Sequence, residues 1–305
     1  MDQATNLRNL LKDESESLIR LRKDDERHRR SAVSEAGPRV MAVTSGKGGV
    51  GKTNIVANLG IALQRMGRRV LILDADLGLA NIDILYGLHP DHTIDSVIRG
   101  ERELAQIIVE GPEGVSLIPS SSGIQDLAHL SEGQKINLLN EFDLLSTRYD
   151  VLLIDTGAGI SSNVIYFNLA ARERLVVVTP EPTSITDAYA LIKILFQHYD
   201  IKHFILLMNM VKSQKTARAV FDHLSRVIER FLTGISLDFA GYIPLDDHLK
   251  RAVSLRSPVV VSEPGAPSSC GFARLAEMLL NQDGGGRLDG NIKFFWKRLL
   301  AEANR

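Results

Sequence analysis

Residues 39–53 read RVMAVTSGKGGVGKT, and the order of their parts decides the fold. Val40 to Ser45 is a short β-rich apolar run, and a turn of glycines follows it at once: Gly46, Gly51, Lys52 and Thr53 fit G-x-x-x-x-G-K-[ST]. The stretch after Lys52 has a helical pattern, so the unit is strand, loop, helix. Glycines let the backbone N–H groups from Gly46 through Gly48, Gly49, Val50 and Gly51 turn toward phosphate oxygens, and the helix adds its positive end. Lys52 is placed to neutralise β and γ phosphates, and Thr53 to offer a hydroxyl to Mg²⁺.

Outward from that loop, short apolar runs alternate with longer helical patterns. Further strands are expected at VLILD from 70, VSLIP from 115, VLLID from 151, LVVVT from 175, FILLMN from 204 and GYIP from 241. Runs apolar at nearly every position suit strands covered on both faces, and the helical segments between them suit right-handed crossovers. The expected architecture is α/β, a doubly wound, mainly parallel sheet flanked by helices, with ligands beyond the carboxyl ends of its strands. Asp74 and Asp76 close the second run and Asp155 closes VLLID, so all three carboxylates are expected around one crevice. Asn209 and Pro244 fall at the ends of late strands.

The two ends differ from this middle. Ala4, Leu7, Leu11 and Leu18 recur at helical spacing in a charge-rich stretch, and SAVSEAGP at 31–38 reads as a linker, so residues 1–38 are an arm. Residues 39–280 make the α/β domain, and residues 281–305 make a Gly-rich linker and a short helix. In that helix Ile292, Phe295, Trp296, Leu299 and Leu300 share one face, with Lys293, Lys297 and Arg298 off it. Such a basic, Trp-bearing amphipathic helix reads as an interfacial membrane anchor with a preference for anionic lipid; docking onto the protein's own core is the competing use.

Composition narrows the class. The 305 residues are 44% hydrophobic and 24% charged with a net charge of -1, ordinary for a globular chain and unlike a dedicated nucleic-acid binder. No apolar run approaches the roughly 18 residues of a spanning helix. One cysteine, Cys270, and no secretory signal point to the cytoplasm.

Lys47 makes the loop unusual. KGGVGKT resembles the deviant Walker A loop of the MinD/ParA ATPases, and LILDADLGLANIDILYGL and VLLIDTGAG resemble that family's two switch regions. The resemblance implies ATP and Mg²⁺ as cofactors and an ATP-bound homodimer, with Lys47 reaching the phosphates of the opposite subunit as an arginine finger does. It also implies that Asp76 orients the attacking water, that Asp155 and Asp74 support the Mg²⁺ shell, that Asn209 and Pro244 line the adenine pocket, and that Glu181 lies near the ribose and the dimer contact. Where the family's second switch commonly has proline this chain has Gly157, a departure from MinD proper.

DQATNLR, residues 2–8, resembles the arm of the FlhG branch of that family, also called FleN or YlxH. There the arm, represented here by Asp2, Gln3, Ala4, Leu7 and Arg8, binds an FlhF-type GTPase and stimulates it. The resemblance implies a slow, partner-regulated ATPase that controls flagellar number and placement and associates reversibly with the inner membrane. Flagellar switch proteins or a flagellar transcriptional regulator are further implied partners, and no specific nucleic acid is expected. A MinD-type division regulator and a ParA-like DNA-partition ATPase are the alternatives.

Overall fold

The computed structural model describes residues 38–76, 81–119 and 131–281. Eight strands lie at Arg39–Ser45 (β1), Val70–Ala75 (β2), Val109–Glu110 (β3), Ser116–Ile118 (β4), Val151–Ala158 (β5), Glu173–Val178 (β6), His203–Val211 (β7) and Ser236–Pro244 (β8). They form one sheet in the order β3-β4-β2-β5-β1-β6-β7-β8. Every neighbouring pair is parallel except β3 with β4. The central strands are buried along almost their whole length, which is why they read as unbroken apolar runs.

The helices are Lys52–Arg65 (α1), Ile82–Tyr86 (α2), Ile94–Ile98 (α3), Leu104–Ile107 (α4), Glu132–Ser146 (α5), Ser162–Ala170 (α6), Pro182–Tyr199 (α7), Gln214–Phe231 (α8), Asp247–Ser254 (α9), Val259–Ser262 (α10) and Pro267–Asn281 (α11). On one face Ile55 and Leu59 of α1 and Phe272 and Leu275 of α11 share a buried cluster with Met41, Ile72 and Leu153 of the sheet. On the other, Phe142 of α5 and Phe167 of α6 pack with Val40, Leu71 and Leu152. A third cluster joins α7 and α8 to β6 and β7 through Leu191, Leu195, Leu224, Val176 and Leu206. Helices therefore cover both faces, and the strand order turns around at β1, the switch point where such sheets bind ligands.

All seven expected strands are present, and the sheet is mainly parallel as expected. Two features departed from the sequence reading. The two-residue β3 is too short to leave a pattern. Strand β8 begins at Ser236 rather than at Gly241, because Gly241 adopts φ +94 and the β7–β8 register shifts beside it, so a single strand reads as a break followed by a short run. Among the described residues no helix is long and apolar enough to cross a membrane. The arm at 1–37 and the segment at 282–305, with their expected contact residues, lie outside the described residues.

Candidate functional site

The loop between β1 and α1 stands at the carboxyl end of the central strand. Two of its glycines take left-handed backbone geometry, Gly49 at φ +77 and Gly51 at φ +90, and Gly51 opens α1. A β carbon on Gly51 would also sit 2.6 Å from Asn209 Nδ2. Ser45 tightens the start of the loop: its hydroxyl donates to the Lys47 carbonyl at 2.7 Å and accepts from Lys52 Nζ at 3.1 Å. The Gly159 N–H donates to the Ser45 carbonyl at 2.9 Å, tying the loop to the end of β5.

The two lysines sit at different depths. Lys52 is 7% exposed; burial lowers its pKa, and the negative charges of Asp155 and Asp76 oppose that fall. Lys47 lies on the rim, where Nζ donates to Glu181 Oε2 at 2.7 Å and to Thr183 Oγ1 at 2.9 Å, both at the start of α7. That same helix presses on the loop: a β carbon on Gly46 would lie 2.1 Å from the Asp187 carbonyl oxygen.

The carboxylates gather on the other flank. Register pairs Asp74 of β2 with Asp155 of β5, so the two sit side by side. Asp74 is engaged by backbone: one oxygen accepts from the Asp76 N–H at 3.2 Å, the other from Asn81 at 3.2 Å and Ile82 at 3.4 Å. Burial raises its pKa to about 6 despite those three donors. Both Asp155 oxygens are buried without a hydrogen-bond partner. Burial pushes its carboxyl up to about 8, the charge of Asp74 adds to the rise, and Thr53 and then Lys52 oppose it. The Thr53 hydroxyl is near enough to favour the charged form without completing a hydrogen bond. Asp76 faces the same space; a β carbon on Gly157 would meet its Oδ1 at 3.7 Å and Val164 at 3.6 Å, both ordinary contacts, so neither space nor backbone demands glycine there.

A buried carboxylate with no donor, beside a threonine hydroxyl at a helix N-terminus, fits a divalent cation that keeps its waters: Thr53 would ligate it and Asp155 would hold its water shell. Among the described residues no group of three or more His, Cys, Asp or Glu is arranged to hold a metal.

Opposite the carboxylates, Asn209 is 2% exposed and its Nδ2 donates to the Val50 carbonyl at 2.7 Å, while its Oδ1 is buried without a partner. Pro244 ends β8 beside Val211 of β7. Sequence reasoning missed three participants. Ser45 and Thr183 carry no motif, and Asn168 of α6, fully buried, donates to Thr44 Oγ1 at 3.0 Å just ahead of the loop. Buried Asn at a helix position whose neighbours are apolar was the available signal for the last.

Fold and loop together define a P-loop nucleoside triphosphatase. Residues 38–280 match the ParA family described as NUBPL iron-transfer P-loop NTPase. The antiactivator FleN of Pseudomonas aeruginosa is 44% identical over 261 residues, 86% of this chain and 93% of that protein. The flagellum site-determining protein YlxH of Helicobacter pylori is 35% identical over 270 residues, 88% and 91% of the two chains. Among solved structures, the MinC:MinD cell division protein complex of Aquifex aeolicus superposes with TM-score 0.66 at 26% identity, covering 83% of this chain and all of that one. MinD of Pyrococcus horikoshii complexed with Mg-ADP gives 0.64 at 25% identity, with 81% and 98% covered.

The chain belongs to the ParA/MinD family of P-loop ATPases, in its FleN/YlxH (FlhG-type) branch. It is an ATPase with ATP and Mg²⁺ as cofactors.

Proposed function

We propose that this ATPase is a nucleotide-driven dimerising switch that regulates flagellar number and placement. The observation that carries the switch is the unequal depth of its two lysines: Lys52 is buried against Ser45, while Lys47 stands on the rim in an exposed ion pair. The flagellar assignment is supported by the likeness to FleN and YlxH.

In this reading the loop N–H groups and Lys52 hold the β and γ phosphates, and Mg²⁺, when bound, neutralises charge developing on them. Thr53 and Asp155 orient that ion's shell, Asp74 holds the backbone of the first switch, and Asp76 positions the attacking water. Lys47 leaves Glu181 to meet the triphosphate of a second copy, a positive charge supplied only when the dimer has closed. Asn209 and Pro244 hold the base, and Glu181 lies by the ribose and the dimer contact. The domain at 39–280 does this work. The arm, through Asp2, Gln3, Ala4, Leu7 and Arg8, engages and stimulates an FlhF-type GTPase. The tail at 281–305 brings the dimer to anionic inner-membrane lipid, since two weak anchors held together bind far better than one.

Light scattering with ATP or ADP tests the switch. ATP but not ADP should double the mass, and Asp76→Ala should stay dimeric on ATP because the water is no longer activated. An Asp76→Ala protein that binds ATP and remains monomeric would sink the assignment.

A further inference from the structure

The side of the loop on which the base lies follows from charge and from one unmet acceptor. On the β2/β5 flank Asp74 and Asp155 lie side by side, with Asp76 hydrogen-bonded to Asp74 through its backbone, a set of carboxyl groups that suits a metal-bound phosphate and offers a base no matching donor edge. On the β7/β8 flank Asn209 Oδ1 is buried and lacks a donor, which an exocyclic amine would supply. Two residues beyond Asn209 on β7, the neighbouring strand is the end of β8. Pro244 lies in register with Val211, and the Leu245 N–H donates to the Val211 carbonyl at 3.0 Å.

What fixes that strand end is a residue outside every motif. Asp246 follows Pro244 by two positions and is 8% exposed. One of its oxygens accepts from the His248 N–H at 2.9 Å and so caps α9. The other accepts from the Ser268 N–H at 2.9 Å and from the Ser268 hydroxyl at 2.7 Å, at the start of α11. A single carboxylate thus caps two helices and ties the strand end to both. Close packing completes the brace: a β carbon on Gly271 of α11 would lie 3.2 Å from both Ile243 and Pro244, so the helix backbone rests against the strand end.

We propose that Asp246 and Ser268 are positioning residues for nucleotide recognition, holding Pro244 and Leu245 at the distance from Asn209 that admits an aminopurine base. The proposal rests on the nucleotide-binding reading above and adds to it the device that sets base selectivity. Neither residue belongs to the phosphate loop, and the hydrogen bonds that join them lie between the end of β8, α9 and α11, so their loss separates base binding from phosphate binding.

The test measures affinities of the full chain for ATP, for ITP, which lacks the exocyclic amine, and for inorganic tripolyphosphate, which has no base. The wild type should prefer ATP to both. Asp246→Asn sets an amide N–H against the N–H of Ser268 or of His248; it should weaken ATP roughly tenfold or more, the scale of losing hydrogen bonds to a charged group. It should also bring the ATP to ITP ratio toward one and leave tripolyphosphate unchanged. Ser268→Ala should do the same to a smaller degree, and Ser268→Thr, which keeps the hydroxyl, should restore the wild-type ratio. That pair decides the matter if Asp246→Asn fails to fold. Unchanged ATP affinity and ATP to ITP ratio in Asp246→Asn and Ser268→Ala would overturn the proposal, as would an equal loss of tripolyphosphate, which marks general loosening. A wild type that binds ATP no better than tripolyphosphate would instead overturn the placement of the base itself.

Discussion

Gly46→Ala should be the most damaging one-carbon change in the phosphate loop, for a reason unrelated to phosphate. The added β carbon would lie 2.1 Å from the carbonyl oxygen of Asp187, 2.2 Å from its carbon and 2.7 Å from the Ala188 nitrogen. All three are backbone atoms inside α7, so no side chain can swing aside. Bringing the shortest contact out to an ordinary 3.4 Å requires about 1.3 Å of relative movement between loop and helix. Overpacking of this kind costs about 1–3 kcal/mol, and a misplacement near 1 Å in a catalytic constellation can cost about a hundredfold in rate. Gly48→Ala is the control: its nearest neighbour is the Ala158 β carbon at 3.8 Å, and its φ is not positive. Urea unfolding should lower the midpoint of Gly46→Ala and leave that of Gly48→Ala within ~0.5 kcal/mol of wild type. Calorimetric ATP titration and phosphate release should fall for Gly46→Ala in parallel. Wild-type stability and turnover in Gly46→Ala would refute the claimed contact between loop and helix.

Further outcomes are expected. Folding holds the Asp155 proton more tightly than the unfolded chain does, raising the pKa from 3.8 to about 8. Its contribution to nucleotide-free stability is therefore complete below about pH 4 and is lost as the pH rises through about 8. Asp155→Asn should flatten that decline, melting above wild type at pH 8 in thermal scans while binding Mg²⁺·ATP poorly; a parallel decline in both proteins would contradict the buried charge. Glu181→Gln breaks an exposed ion pair worth about 0.2–1 kcal/mol, and two such pairs open per dimer, so ATP-dependent dimerisation followed by sedimentation should shift to lower protein concentration, by no more than about thirtyfold; a shift upward would mean Glu181 serves the dimer more than it restrains Lys47. Trp296→Glu should abolish ATP-dependent sedimentation with anionic liposomes, and equal sedimentation of a chain ending at Asp283 would assign the tail helix to core packing. A peptide of residues 1–30 should accelerate GTP hydrolysis by the organism's FlhF-type GTPase, with Gln3→Ala or Leu7→Asp silent; absence of binding under conditions where that GTPase dimerises would move the division-regulator alternative ahead.

The parts of the site that were legible in the sequence are those set by local chemistry. Lys52 and Thr53 follow from glycine spacing, and Asp74, Asp76 and Asp155 from carboxylates at the ends of apolar runs, because a strand end at a switch point is a position that the chain order alone determines. The parts that stayed hidden depend on distant pieces of chain meeting. Ser45 reads as a small residue before a turn until Lys52 Nζ comes to it at 3.1 Å. Asp246 reads as half of an acidic pair until Ser268 arrives from 22 residues away.

Glu181 and Thr183 show how the two kinds of information combine. Glu181 is the N-cap of α7 and Thr183 lies in its first turn, and α7 is also the helix whose backbone at Asp187 closes on Gly46. The helix that holds the rim lysine in an ion pair is thus the one that fits against the glycine beside it. A side chain of about one carbon at Gly46 and a charge at Glu181 act on the same rigid body, so the position of α7 is felt at both ends of the loop's first turn. If Lys47 is to leave Glu181 when ATP binds, the close approach of Gly46 to α7 opposes backbone motion toward that helix and favours movement of the lysine side chain. The release of Lys47 is then a rotamer change worth little in energy, which suits a switch whose direction is set by the nucleotide and not by strain stored in the loop.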